Sequence, residues 1–108
     1  MSLIIQPAFT PVLLQKVINI GVWNMDTTPL RTISHGLTFA DIRAVKVAIQ
    51  NDTGNAVNDF LMPGYAGTTH IEWDSSFIYM ERGTGGYYDS ASYNGASNRG
   101  WVTLFYLP

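Results

Sequence analysis

A twenty-residue stretch from Ile33 to Asp52, ISHGLTFADIRAVKVAIQND, narrows the folds open to this chain. Its second half, Arg43 to Asn51, alternates Val45, Val47 and Ile49 with Ala44, Lys46, Ala48 and Gln50, the period-2 pattern of a half-buried strand. A helix competes for the same residues, since Asp41 could cap it and Ile42, Val45 and Ile49 fall at helical spacing. The strand is preferred because β-branched side chains lose rotamer freedom in a helix, and because the same composition recurs in the other apolar runs. Asn51-Asp52-Thr53-Gly54-Asn55 ends the run with side chains that bond their own backbone and a glycine able to take positive φ.

A length of 108 residues fits one domain able to bury a core without disulfides or a structural metal. Only 13% of residues are charged, and lysine and glutamate, which favour helices, are scarce; this favours an all-β fold. The formal net charge of −2, with no block of like charge, excludes an electrostatic footprint for nucleic acid or anionic membrane. The absence of cysteine excludes a disulfide framework, a thiolate zinc site and a cysteine nucleophile, and is compatible with a reducing cytosol. Met1 to Gln15 lacks a basic n-region and is interrupted by Pro7 and Pro11, so no secretory signal is expected. No run approaches the roughly 20 apolar residues of a membrane helix, so no membrane insertion is expected.

Read in order, residues 1–11 form an extended N-terminal arm whose Leu3, Ile4, Ile5 and Phe9 would lie on their own domain or on a neighbouring chain. Residues 12–108 form a single β-sandwich domain. Its first strand places Ile18, Ile20 and Val22 on one face and Val17, Asn19 and Trp23 on the other; Trp23 to Pro29 closes it with turn chemistry. Leu30 to Ser34 is a short strand, and Leu37 to Ile42 connects it to the central one. Val57 to Met62 is a further strand, ended by Pro63-Gly64 and a loop from Tyr65 to Thr68. His70 to Trp73 and Phe77 to Arg82 alternate on either side of Asp74-Ser75-Ser76, a connection of hairpin length. Trp101 to Leu107 is apolar on both faces except Thr103, as befits a strand inside a sandwich or covered by a neighbour. About six to seven strands at this spacing predict an antiparallel β-sandwich.

Between the last two strands lies Gly83 to Gly100, GTGGYYDSASYNGASNRG, the longest connection. Its glycine, serine, asparagine and tyrosine are the mixture used by binding loops. Tyr87, Tyr88 and Tyr93, read as exposed, together with Asp89, Asn94, Asn98 and Arg99, are the candidate ligand-binding residues. The rings could stack on a sugar while the polar groups bond its hydroxyls, or could pack on another protomer. Arg99, beside Trp101, is expected to clamp the loop by bonding several loop carbonyls or a carboxylate such as Asp89.

Enzymatic motifs are missing. Gly83, Gly85 and Gly86 lack the Gly-Lys-Ser/Thr ending of a phosphate loop, and no Gly-x-Ser-x-Gly elbow presents a nucleophile. His35 and His70 have no spacing that suggests a metal pair, and His35 before Gly36 reads as a turn histidine with a satisfied ring. The carboxylates are scattered over strand ends and turns, with no marked pair for glycoside hydrolysis. The oxygen-rich run from Asn51 to Asp59 lacks the ligand spacing and terminal glutamate of a calcium loop. No cofactor, metal or catalytic residue is expected.

Trp23-Asn24-Met25-Asp26, Ser34-His35-Gly36-Leu37, Ile42-Arg43, Asn51-Asp52, Glu72-Trp73-Asp74 and Asn98-Arg99-Gly100-Trp101, in that order, resemble small β-sandwich domains of bacteriophages and prophages. The Ile33 to Leu37 segment is also similar to isoleucine-x-His-Asn-Leu-Gly segments of phage tail-fibre modules. The strand layout resembles the H-type lectin sandwich, whose members trimerise and bind sugars at protomer boundaries. These resemblances imply a non-enzymatic virion structural or receptor-binding module made in a bacterial cytoplasm, assembling as a homo-oligomer and, by the lectin likeness, as a trimer. The alternative is an extracellular lectin-like module that takes a cell-surface glycan with the loop 83–100.

Overall fold

The computed structural model describes residues 12–61 and 69–108. The expected arm 1–11, and the loop through Thr68 with Met62 before it, therefore lie outside the described residues; the strand expected over Val57 to Met62 ends at Asp59, and Phe60 and Leu61 bend away from it. The described chain is all-β: β1 (Leu14–Asn19), β2 (Leu30–Ser34), β3 (Ile42–Gln50), β4 (Val57–Asp59), β5 (His70–Trp73), β6 (Phe77–Glu81) and β7 (Gly100–Tyr106), with short 3-10 turns at Phe39–Asp41 and Ala91–Tyr93. A four-stranded sheet has the order β1-β7-β3-β4 and a three-stranded sheet the order β2-β6-β5. All pairings are antiparallel.

The expected alternation places the core. On β3, Val47 and Ile49 are fully buried and Val45 packs against them, so this run is a strand and not a helix. Their cross-strand neighbours Val102 and Leu104 on β7 share that inner face. Ile33 on β2 with Ile78 and Met80 on β6 meet them from the other sheet. Burial of two apolar sheet faces against each other is the dominant stabilising term of such a sandwich. Because β7 lies between β1 and β3, its apolar character on both faces fits an interior strand of its sheet.

The alternation expected of the first strand fails beyond Ile20. Ile20 is buried as expected, but Val22 is 59% exposed and Trp23 is buried. Gly21, with φ 77°, breaks the extended chain between them and reverses which parity faces inward. Asn24 then closes the turn by accepting from the amides of Asp26 and Thr27, while Met25 drops into the core. The 23–29 segment thus supplies core side chains as well as a turn.

The β5-β6 hairpin pairs Trp73 with Ile78, and Asp74 Oδ1 accepts from the amides of Ser76 and Phe77 at 2.9 and 2.8 Å. His35, fully buried, packs against this turn. Its Nδ1 accepts from Leu37 N–H, so Nε2 carries the proton and donates to the Asp74 carbonyl at 2.9 Å. Both ring nitrogens are satisfied, and Gly36 at φ 69° turns the chain behind them.

Candidate functional site

The loop 83–100 folds inward rather than presenting its rings. Tyr88 and Tyr93 are buried, at 1% and 3% exposure, which corrects the expectation of an exposed tyrosine trio. Tyr88 stacks on Phe60 with centroids 5.5 Å apart, meets Tyr93 edge-on at 5.0 Å, and donates its hydroxyl to the Asp59 carbonyl at 3.0 Å. Trp23 also packs on Phe60, with centroids 5.9 Å apart. Edge-to-face and offset contacts of this kind close one end of the sandwich with aromatic rings. Burial, before any charge effect, drives the Tyr88 phenol well above its ordinary range. It also pushes Tyr93 up to about 12, where the Tyr87 hydroxyl adds to the rise and Asn58 and Arg99 oppose it. Tyr87 remains 41% exposed and contacts Tyr88 edge-on and Tyr93 at a tilt.

Arg99 bonds neither the loop carbonyls nor the Asp89 carboxylate expected of it; it ties the loop's end to other segments. Its side chain is 1% exposed; Nε donates to Trp23 O at 3.0 Å, one terminal nitrogen to Gln50 O at 2.9 Å and the other to Asp52 Oδ1 at 2.8 Å. The guanidinium also lies over the Tyr93 ring, 5.4 Å from its centroid. The carboxylate is therefore Asp52, from the β3–β4 turn, and not Asp89. Asp52 in turn accepts from the amides of Asn94 and Gly95. Burial alone would raise its carboxyl, but Arg99 and these two amides outweigh it and hold Asp52 below the usual carboxylate range.

Asp89 belongs to a second arginine. Arg82, also buried, donates to the carbonyls of Met25 and Asp26 and sits 3.4 Å from Asp89, which accepts from Gly85 N–H as well. Asn98 is engaged by Gly21, whose amide donates to its Oδ1, and by Gln50, whose side chain donates to its carbonyl. Of the seven candidate residues, Tyr87 and Asn94 are the exposed ones; Asp89 and Asn98 are half-buried, and Tyr88, Tyr93 and Arg99 are interior. Arg82 and Asp52 were the missed members. Asp52 sits in the Asn51-Asp52 pair already marked as a turn, so its signal was absorbed by that reading.

Two open grooves lie elsewhere. One, of about 340 Å³, is lined by Leu30, His70, Glu72, Tyr79 and Glu81 on the outer face of the three-stranded sheet. The other, of about 350 Å³, lies between Phe39 and the edge strand residues Ile71, Glu72 and Trp73. Among the described residues no group of three or more histidine and carboxylate side chains is arranged to hold a metal ion. No helix of the described residues is long and apolar enough to cross a membrane.

The arrangement defines an antiparallel two-sheet β protein whose long loop is locked by two buried arginines. Comparison with protein-family models, with curated proteins and with solved structures finds no match for this chain.

Proposed function

We propose that this protein is a non-enzymatic structural module that assembles with copies of itself, of the phage or prophage type that its short motifs resemble, with the virion as its place of work and a trimer as its assembly. The observation that carries the self-assembly is the outer face of the four-stranded sheet. Register places Val17, Trp101, Phe105, Ala44 and Ala48 side by side there, with Gln15, Asn19 and Thr103 as uncharged polar neighbours. Trp101 and Phe105 are half-buried and Val17 is 60% exposed. The cation in this patch, Lys46, is paired with Asp59 at 3.1 Å, so the patch mixes apolar with uncharged polar side chains and carries no net charge. Sheet faces of that composition are favourable to cover.

A glycan site in the loop 83–100 finds less support, because two of its three rings are interior and Asp89, Asn98 and Arg99 are bonded within the fold. Sedimentation at micromolar concentration tests the reading. An oligomer is expected, weakened in Val17→Lys, which adds a charge to the patch without removing a core side chain; a wild-type monomer refutes it.

A further inference from the structure

We propose that the groove on the outer face of the β2-β6-β5 sheet docks a basic segment of a partner protein, seating a lysine or arginine head group over the Tyr79 ring between Glu72 and Glu81. The strand register builds the groove in rows. Leu30, Glu81 and His70 form one row across the three strands, and Thr32, Tyr79 and Glu72 the next. Tyr79 is therefore the floor, with one glutamate directly opposite it and another two residues along its own strand on the same face. Its ring is fixed before any partner arrives, because the hydroxyl donates to Asp74 Oδ2 at 2.7 Å and the ring packs beside Phe77.

Charge decides the occupant. Glu72, Asp74 and Glu81 surround the ring, and no lysine or arginine lines the groove. Glu72 is bonded through one oxygen to His70 Nε2 at 2.9 Å; Glu81 has no ion-pair partner among the described residues. The same field raises the Tyr79 phenol, chiefly through the Asp74 hydrogen bond, then burial, then the charges of Asp74 and Glu72. A flat aromatic floor between carboxylates favours an ammonium or guanidinium and repels phosphate. At about 340 Å³ the groove sits at the small end of ligand sites, which run from about 300 to 1,000 Å³, so a side chain fits it better than a folded surface.

The cation comes from another protein rather than from a copy of this chain. Lys16, Arg31, Arg43, Arg82 and Arg99 donate to carbonyls of their own fold, and Lys46 is paired with Asp59 on the opposite sheet.

The test is an NMR titration of the full chain with an acetylated, amidated tetralysine peptide. Saturable shifts confined to the amides of residues 70–73 and 78–82 are expected, weakened about tenfold in Glu72→Gln/Glu81→Gln and unchanged in Asp59→Asn, which removes a carboxylate from the other sheet. Both substitutions sit on exposed positions, so well-dispersed spectra are expected for each. Shifts that do not saturate, that are equally strong in the double variant, or that are produced instead by a neutral chitooligosaccharide overturn the proposal.

Discussion

Replacing Arg99 by lysine isolates what the guanidinium fork contributes. Arg99 bonds two carbonyls and one carboxylate from two segments, Trp23 on one side and Gln50 with Asp52 on the other, and a single ammonium on a shorter reach keeps the Asp52 pair at best. Two charge-assisted bonds are then lost, each about 1.5–3 kcal/mol, and the buried Trp23 carbonyl is left without this donor. Part is recovered by local relaxation, so the expected loss is about 3–4 kcal/mol. For a domain whose whole stability is ~5–15 kcal/mol, that is a large fraction. With a urea dependence of about 1.5 kcal/mol per molar, the unfolding midpoint falls by about 2 M at unchanged slope. Urea titration followed by tryptophan fluorescence reads this directly. Hydrogen exchange locates it: the amides of Met25 and Asp52, which bond the carbonyls of Tyr93 and Ser92, lose protection before those of Val45 and Leu104 in the sheet. Because the fork ties the 21–29 segment to the end of β3, the effect reaches the whole sandwich end. A midpoint shift under about 0.3 M, or uniform loss of protection, refutes the clamp.

Gly100 enters β7 at φ 154°, and a Cβ there would stand 2.0 Å from the Ala48 carbonyl oxygen, so Gly100→Ala is expected to lose ~3 kcal/mol in the same urea assay. Stability against pH should fall at both ends. The lowered Asp52 and Asp74 carboxyls are protonated more readily in the unfolded chain, so their contribution holds above their ordinary 3.8 and is lost as pH drops through the lower folded values. The raised Tyr93 contributes fully below 10 and is lost as pH climbs towards about 12; acid unfolding curves of wild type and Asp52→Asn, and ultraviolet tyrosinate titration of folded against urea-unfolded protein, check the two limbs.

The strands were legible because their signal is local. Period-2 alternation of β-branched residues marks β3, and the hairpin composition around Asp74 marks β5 and β6, since each depends only on neighbours in sequence. The loop 83–100 was legible as a loop and misread in burial. Tyrosine composition is the same for a ring that greets solvent and one that plugs a sandwich end, and what decides between them is Phe60, 28 residues before Tyr88. Arg99 was recognised as a clamp from its place beside Trp101, but its carboxylate could not be chosen, since Asp52 lies 47 positions away and Asp89 only ten. The parity switch at Gly21 was hidden for a related reason: a glycine permits positive φ without requiring it.

The low charge content acquires a physical meaning from where the cations sit. Carbonyls in the connections have no ladder partner, and a buried carbonyl without a donor is costly. Lys16 serves His35 O, Arg31 serves Ile20 O, Arg43 serves Ala40 O, Arg82 serves Met25 O, and Arg99 serves Trp23 O and Gln50 O. Five of the six basic residues thus act on the chain's own backbone, with Lys46 the remaining one. Such an assignment leaves the two outer faces with opposite characters. The four-stranded sheet keeps a face of apolar and uncharged polar side chains with a balanced pair, and the three-stranded sheet keeps three carboxylates around an aromatic floor with no arginine or lysine in the groove to answer them. A net charge of −2 conceals this, because the compensating positive charge is distributed mostly among backbone contacts at strand ends. Since the faces lie on opposite sides of the sandwich, self-association through one leaves the other open to a basic partner. Adding Val17→Lys should therefore shift the sedimentation of the protein without weakening tetralysine binding, whereas coupled losses would mean that the two faces do not act independently.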